Sequence, residues 1–180
     1  MLISSQKAEE AAIVRAAEQL AVTIRTAPKA CGVDVLDTLV VTGEDKAKIA
    51  EEMRVIGREL GERGAFFLRD ADNLDASQGL ILAGAKYEVR RLDKMCLLCG
   101  LSGCHEAAEL GAACVFVGMD LGIALGAAVA QAADLRIDNR IMFTIGKAAA
   151  RLGLLGEFKM IMGIPLSSRG KNVFFDRELP

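Results

Sequence analysis

Residues 35–62, VLDTLVVTGEDKAKIAEEMRVIGRELGE, join two sequence patterns of different period. Residues 35–41 are mostly β-branched or aliphatic and predict a strand. Apolar residues then recur at helical spacing and predict an amphipathic helix over 44–62, with Ala47, Ile49, Ala50, Met53, Ile56 and Leu60 on one face. A strand followed directly by such a helix is typical of α/β and α+β proteins.

The flanking sequence extends this pattern in both directions. Towards the N-terminus, Ser4 and Ser5 can cap a helix that runs to about Arg25, where Pro28 and Gly32 interrupt it. Towards the C-terminus, the residues predict a strand at 65–68, a polar connection at 70–77 and a buried strand at 79–83.

The second half of the chain predicts two more helices and a last strand. The helices are expected near 115–136 and 140–152, the latter capped by Asp138, and the strand near 158–164. Phe174 and Phe175 in the tail are expected to pack against the body or against a partner subunit. Together these elements predict an α+β sandwich of two or three layers.

Length and composition restrict the class of protein. A chain of 180 residues predicts one domain over 1–180, and its 52% apolar content excludes an intrinsically disordered chain. The net charge of -2 shows no basic excess, and only 4% of the residues are aromatic, so nucleic-acid binding is not expected. The N-terminus lacks a signal-peptide pattern, which predicts a cytoplasmic protein.

One segment tests the prediction that no helix crosses a membrane. Residues 110–133 are mostly apolar and long enough to span a bilayer, but they are rich in Gly and Ala and carry Asp120 in the middle. A charge at the centre of a span costs roughly 2.5–3.5 kcal/mol on insertion scales. We therefore expect a buried central helix here.

The segment at about 90–115 is rich in cysteine and glycine. Four of the five cysteines follow the pattern C-x2-C-x4-C-x9-C, at Cys96, Cys99, Cys104 and Cys114. Thiolates are the preferred ligands of iron–sulfur clusters and are common ligands of tetrahedral zinc. The compact spacing favours a [4Fe-4S] cluster, with structural zinc and redox-silent thiols as alternatives. Gly100 and Gly103 could turn backbone N–H groups towards the sulfurs, and Arg90, Arg91 and Lys94 could offset their charge or form a solvated face.

The remaining polar candidates are weaker. His105, beside Cys104, is expected in the exposed first turn of a helix, and Cys31 is expected to be a packing residue. The run Ser167–Asn172 offers hydroxyls, a glycine and two cations, Arg169 and Lys171, which suit an anion but do not form a nucleotide P-loop.

The cysteine motif CLLCGLSGC at 96–104, followed by an acidic, alanine-rich helix, resembles the iron–sulfur domain of corrinoid iron–sulfur proteins. Leu97 stands where that domain has its first glycine, and the last cysteine spacing is shorter. The whole chain resembles the ferredoxin-domain-containing proteins of anaerobic bacteria and archaea, through RTAPKACGVD (25–34), the cysteine segment, residues 120–155 and GIPLSSRGKNVFFDR (163–177). This resemblance implies an iron–sulfur cofactor but no particular reaction.

A second resemblance concerns the fold. The helix that runs into AVTIRTAPKACGVDVLDTLVVTG (21–43), the later Ala/Gly-rich helix and the final GIPLS strand are similar to the nitroreductase pattern. Nitroreductases are dimers that bind FMN at the subunit interface. The resemblance implies a homodimer in which Thr26, Pro28 and Lys29 face a flavin-type pocket and Arg169 or Lys171 meets a phosphate. The N-terminal arginine pair that nitroreductases use for the FMN phosphate is absent here.

These observations lead to one principal hypothesis and two alternatives. The principal hypothesis is an iron–sulfur protein that transfers electrons to a redox partner protein or a small-molecule acceptor. The alternatives are an FMN-dependent, nitroreductase-like oxidoreductase and a zinc-stabilised interaction module.

Overall fold

The computed structural model describes residues 1–174. In this range the chain forms six α-helices and four strands, in the order α1 (Ser5–Thr26), β1 (Leu36–Val41), α2 (Gly43–Glu59), α3 (Ala65–Ala76), β2 (Gly79–Ala85), α4 (Cys104–Glu109), α5 (Val115–Asp134), β3 (Asp138–Asn139), α6 (Phe143–Arg151) and β4 (Met160–Ser167). Short 3-10 turns lie at Ala30–Gly32, Gly61–Gly64 and Asp93–Met95. The predicted α+β class is confirmed.

The four strands form one antiparallel sheet in the order β1-β2-β4-β3. The central pair aligns Ile81 of β2 with Ile164 of β4, and Leu39 of β1 lies opposite Leu82 of β2. All seven residues of β2 are buried. Such a strand appears in the sequence as a continuous apolar run because helices cover both faces of the sheet.

Helices cover the sheet on both sides, so the protein is a three-layer sandwich. Side chains alternate along a strand, and this alternation divides β2 between two cores. Ile81 and Ala83 pack with residues of α1 and α5 in one core. Leu80 and Leu82 pack with residues of α2, α3 and α6 in the other.

The predicted strand at 65–68 and polar connection at 70–77 are wrong, because helix α3 covers residues 65–76 and Ser77 is its C-cap. Residues 65–68 are aromatic or aliphatic, as is typical of a short strand. Its buried residues Phe67, Ala71 and Leu74 nevertheless recur at helical spacing. Asp70, also buried, accepts a hydrogen bond from the Thr144 hydroxyl at 2.9 Å, which satisfies this polar group inside the core.

Several predicted boundaries also shift. Ser4 caps α1 as predicted and accepts a hydrogen bond from the Lys7 N–H at 3.4 Å. Asp138 does not cap α6; it belongs to β3, and the residue before α6 is Met142. Phe174 is fully buried, whereas Phe175 lies outside the described residues.

The helix α6 approaches strand β4 through a glycine. A Cβ atom added at Gly146 would lie 1.7 Å from the Ile161 carbonyl oxygen. Since the obstructing atom belongs to the backbone of a central strand, no side-chain rotation can relieve the contact. The absence of a side chain at this position is therefore a condition for this packing.

We expect Gly146→Ala to lower the free energy of unfolding by about 1–3 kcal/mol, the usual cost of overpacking. The matched control is Gly118→Ala in α5, where the nearest atom to an added Cβ is a Met160 side-chain carbon at 4.0 Å. Alanine there should raise stability by roughly 0.5–1 kcal/mol because it reduces backbone entropy. Urea unfolding of both variants measures the difference, and equal stability would contradict the proposed contact.

Candidate metal centre

The segment between β2 and α5 carries the four clustered cysteines. It contains one 3-10 turn and the short helix α4, and much of its backbone is irregular. Arg91, Asp93 and Leu97 have left-handed backbone angles, with φ of 54°, 39° and 51°, and Gly100 has φ 77°. The left-handed conformation costs a non-glycine residue roughly 1–2 kcal/mol. Leu97 thus adopts a conformation that suits glycine best. It stands at the position where the iron–sulfur domain named in the sequence analysis has its first glycine.

All four cysteines of the segment line one cavity. Cys96 and Cys99 come from the irregular loop, Cys104 is the first residue of α4, and Cys114 immediately precedes α5. Each of these cysteines is partly buried. Four thiols that are spread over 19 residues of sequence are therefore gathered around one space.

The sulfur of Cys104 has a hydrogen-bond donor from the backbone. The Asp93 N–H donates to Cys104 Sγ at 3.2 Å, and the Cys104 N–H donates to Asp93 Oδ1 at 3.2 Å. The predicted N–H···S contact therefore exists, but its donor is Asp93. Of the two glycines expected to turn their N–H groups, Gly100 has positive φ, whereas Gly103 is extended with φ 169°.

A carboxylate fastens the start of α4 to the cysteine loop. Glu106 Oε2 accepts hydrogen bonds from the Ser102 N–H and hydroxyl, both at 2.7 Å. The pKa of the Glu106 carboxyl lies below its usual value. The largest cause is the hydrogen bond from the Ser102 N–H, and the second is the bond from the Ser102 hydroxyl. The carboxylate therefore stays charged at neutral pH and keeps its acceptor role beside Gly103.

The cysteine side chains surround the cavity without meeting at a point. Among residues 1–174, no three Cys, His, Asp or Glu side chains converge closely enough to hold a single metal ion. A zinc ion needs its thiolates at about 2.3 Å from one centre. A [4Fe-4S] cluster takes one thiolate at each of four irons, so its ligands surround a larger body. The four thiols around this cavity are the donor type that both kinds of centre use.

A buried ion pair connects this cavity to helix α5. Arg90 lines the cavity, and its Nη2 lies 2.5 Å from Asp120 Oδ2, with the two side chains 1% and 3% exposed. Asp120 Oδ1 accepts a second hydrogen bond, from the Ala30 N–H at 3.0 Å. From the sequence, Asp120 is identified only as a charge within an apolar segment and is not paired with Arg90. A charge in the middle of an apolar helix is the available signal, since it requires a partner.

The loop after α1 uses its predicted ligand-binding groups internally. Lys29 Nζ donates to the Arg25 and Ala27 carbonyl oxygens at 2.5 and 2.9 Å. Thr26 Oγ1 donates to the Val22 carbonyl oxygen at 2.9 Å, and Pro28 is exposed. These bonds satisfy carbonyl groups at the C-terminal end of α1.

Asp34 holds this loop to the helix. Its carboxylate forms a pair of hydrogen bonds with the Arg25 guanidinium, one of them at 3.1 Å. The hydrogen bond from Arg25 is the main reason why the pKa of Asp34 lies below its ordinary value of 3.8. Both partners are substantially exposed, so the pair contributes little to global stability and chiefly fixes the local geometry.

Arg169 and Lys171 lie away from the cysteine cavity. Arg169 lines an open cleft beside β3 together with Arg136, Asn139 and Asn172, whereas the cavity is lined by residues of the range 89–116. Lys171 is exposed.

Cys31 and His105 stand apart from the shared set of thiols. Cys31 is exposed in the loop after α1. His105 is exposed in the first turn of α4, and its Nε2 lies 3.2 Å from Glu109.

Comparison with known proteins places the chain among relatives over nearly its full length. Residues 110–177 match the family described as "Uncharacterized protein containing a ferredoxin domain (DUF2148)". This range includes Cys114, while the other three clustered cysteines precede it. A protein of Archaeoglobus fulgidus is 39% identical over 186 residues, which cover 98% of each chain.

Solved structures share the fold at low sequence identity. A nitroreductase with bound FMN from Desulfitobacterium hafniense DCB-2 has a TM-score of 0.59 at 14% identity, covering 95% of this chain and 81% of that one. A BluB-like flavoprotein from Clostridium difficile 630 has a TM-score of 0.58 at 14% identity, covering 100% and 87%. Nitroreductase CinD from Lactococcus lactis has a TM-score of 0.56 at 16% identity, covering 94% and 81%.

These findings confirm the resemblance of the whole chain to the ferredoxin-domain-containing proteins and the resemblance of its fold to nitroreductases. The structural matches show the fold, and the full-length relative together with the matching family model shows the family. The chain belongs to the family of proteins containing a ferredoxin domain and has the nitroreductase fold.

Proposed function

We propose that this protein is a one-electron redox protein in which Cys96, Cys99, Cys104 and Cys114 hold a [4Fe-4S] cluster. A ferredoxin-domain family and a nitroreductase fold together support a redox role. The observation that carries the proposal is the gathering of all four thiols around one cavity. Each thiolate would then bind one iron at the wall of the cavity.

The chain contributes ligands, hydrogen bonding and partial exclusion of water. A bound cluster would supply a centre that accepts and releases single electrons. The Asp93 N–H already donates to the sulfur of Cys104, which would stabilise negative charge on that ligand. Met95 and Leu98 beside the ligands are 84% and 60% exposed, so a redox partner protein could approach the centre closely at this surface.

An FMN-dependent oxidoreductase is the second candidate function. The observation in its favour is the fold, which one of the solved neighbours combines with bound FMN. The residues that the resemblance implied for flavin binding give less support, because Thr26 and Lys29 bond to carbonyl groups of α1 and its following turn. Arg169, beside Arg136 and Asn172, remains the best candidate for a phosphate contact.

Anaerobic purification followed by iron, sulfide, zinc and flavin analysis tests the cofactor. We expect about four irons and four acid-labile sulfides per chain and a broad visible absorption. Cys96→Ser, Cys99→Ser, Cys104→Ser and Cys114→Ser should each lose most of the iron. Cys31→Ser is the matched control and should keep it, because Cys31 does not line the cavity.

Two results would reject the cluster. One equivalent of zinc without labile sulfide would favour the interaction module. A yellow protein that releases fluorescent flavin on denaturation, without iron, would favour the second candidate function.

We further propose that the protein is a homodimer that buries the outer face of α5. In residues 1–174, α5 is the one helix that is long and apolar enough, by length and composition, to cross a membrane. Only 39% of its most apolar stretch of 18 residues is buried, however. Val115, Met119 and Ile123 form an exposed stripe at four-residue spacing. Gly122 and Gly126 have no heavy atom within 4 Å of an added Cβ, which leaves room for a second helix to approach closely.

Ile123→Glu tests this interface, because it places a charge in the middle of the apolar stripe. We expect the variant to elute as a monomer at concentrations where the unchanged protein is a dimer, with the same circular dichroism. Leu60→Glu is the matched control: Leu60 is also 48% exposed but follows α2, on the opposite side of the sheet. A monomeric parent protein in light scattering would refute the dimer.

A further inference from the structure

Arg90, which lines the cysteine cavity, carries a buried hydrogen-bond donor that lacks an acceptor. Arg90 lines the cavity, and its Nη1 donates to the Glu88 carbonyl oxygen at 3.0 Å while Nη2 donates to Asp120 at 2.5 Å. Its Nε is buried and, within residues 1–174, has no hydrogen-bond partner. A buried donor without an acceptor costs the free energy of its desolvation. An acceptor placed beside the Arg90 Nε–H would remove this cost.

The guanidinium is fixed in its orientation. Both terminal nitrogens are engaged, and the partner carboxylate is itself held by the Ala30 N–H at 3.0 Å. Asp120 therefore links α5, the cysteine segment and the loop after α1 through one side chain. Since these contacts prevent the guanidinium from turning to other acceptors, the free N–H group is preorganised for an acceptor next to it.

We propose that Arg90 is a positioning residue of the cysteine cavity, whose Nε–H donates a hydrogen bond to a sulfur of the anionic centre. This inference rests on the cluster proposed above. Thiolate and sulfide sulfurs accept hydrogen bonds, and such bonds tune the reduction potential of iron–sulfur centres.

The hydrogen bond has a definite consequence for reduction. A bound cluster would take one electron from a low-potential donor without a proton, so the charge of the centre would become more negative by one. A fixed N–H donor stabilises the more negative state more strongly, so Arg90 raises the reduction potential.

The double variant Arg90→Met with Asp120→Asn removes the donor and its partner charge together, which leaves the net charge unchanged. The introduced asparagine would keep an amide oxygen for the Ala30 N–H. Anaerobic titration with dithionite, followed by electron paramagnetic resonance, should give a lower midpoint potential than in the unchanged protein at equal iron and sulfide content. Lys94→Met is the control: Lys94 is exposed two residues before Cys96, and solvent and salt screen its charge, so the potential should stay the same.

Arg90→Lys is the second variant and protects the test against misfolding. It keeps a positive charge for Asp120 but removes the Nε donor, so the potential should again fall.

Two results would overturn the inference, and they are distinguishable. Folded, iron-loaded variants with the potential of the unchanged protein would refute the role of Arg90 and leave the cluster standing. An unchanged protein without iron and sulfide would refute the cluster and the inference together.

Discussion

One buried ion pair fixes the irregular cysteine segment to the rest of the fold. Arg90 and Asp120 meet at 2.5 Å with almost no exposure to solvent. Separating such a pair by removing one partner costs about 3–5 kcal/mol, because a buried charge would remain unpaired. The segment contains little regular secondary structure, and the pair joins it to α5 at Asp120. The position of the cavity therefore depends on a carboxylate that lies in α5, the most apolar helix within residues 1–174.

Helix α5 has two different faces: one packs in the core and holds Asp120, and the other is exposed and apolar. The inner face supplies small residues such as Ala124 and Ala128 to the core against α1 and the sheet. Small side chains let helices approach closely, so a helix rich in Ala and Gly buries less surface per residue than a leucine-rich one. Asp120 lies on this inner face, and the exposed apolar stripe lies on the outer face. The composition that suggests a membrane span thus follows from close packing within a sandwich and an apolar outer surface.

The sequence predicts the fold best where one period continues over many residues. The helices α1, α2 and α5 and the buried strand β2 are all predicted correctly in type, because their apolar patterns are long or continuous. Helix α3 resembles a strand in the sequence because Phe66 and Phe67 begin it, and its helical period becomes visible only when residues 65–76 are taken together. The ion pair of Arg90 with Asp120 joins residues 30 positions apart, and no local sequence pattern predicts such a contact.

Strained backbone distinguishes the cysteine segment from an ordinary surface loop. Of the six non-glycine residues with positive φ in the described range, Arg91, Asp93 and Leu97 fall within seven positions. Each costs roughly 1–2 kcal/mol, and none of them belongs to the buried hydrophobic core, so core packing does not account for the cost. At Asp93 the benefit is visible, because this conformation accompanies a backbone N–H on the sulfur of Cys104. Strain of this kind persists where it preorganises a site, which supports the proposal that the cavity, rather than the open clefts elsewhere, is the centre of function.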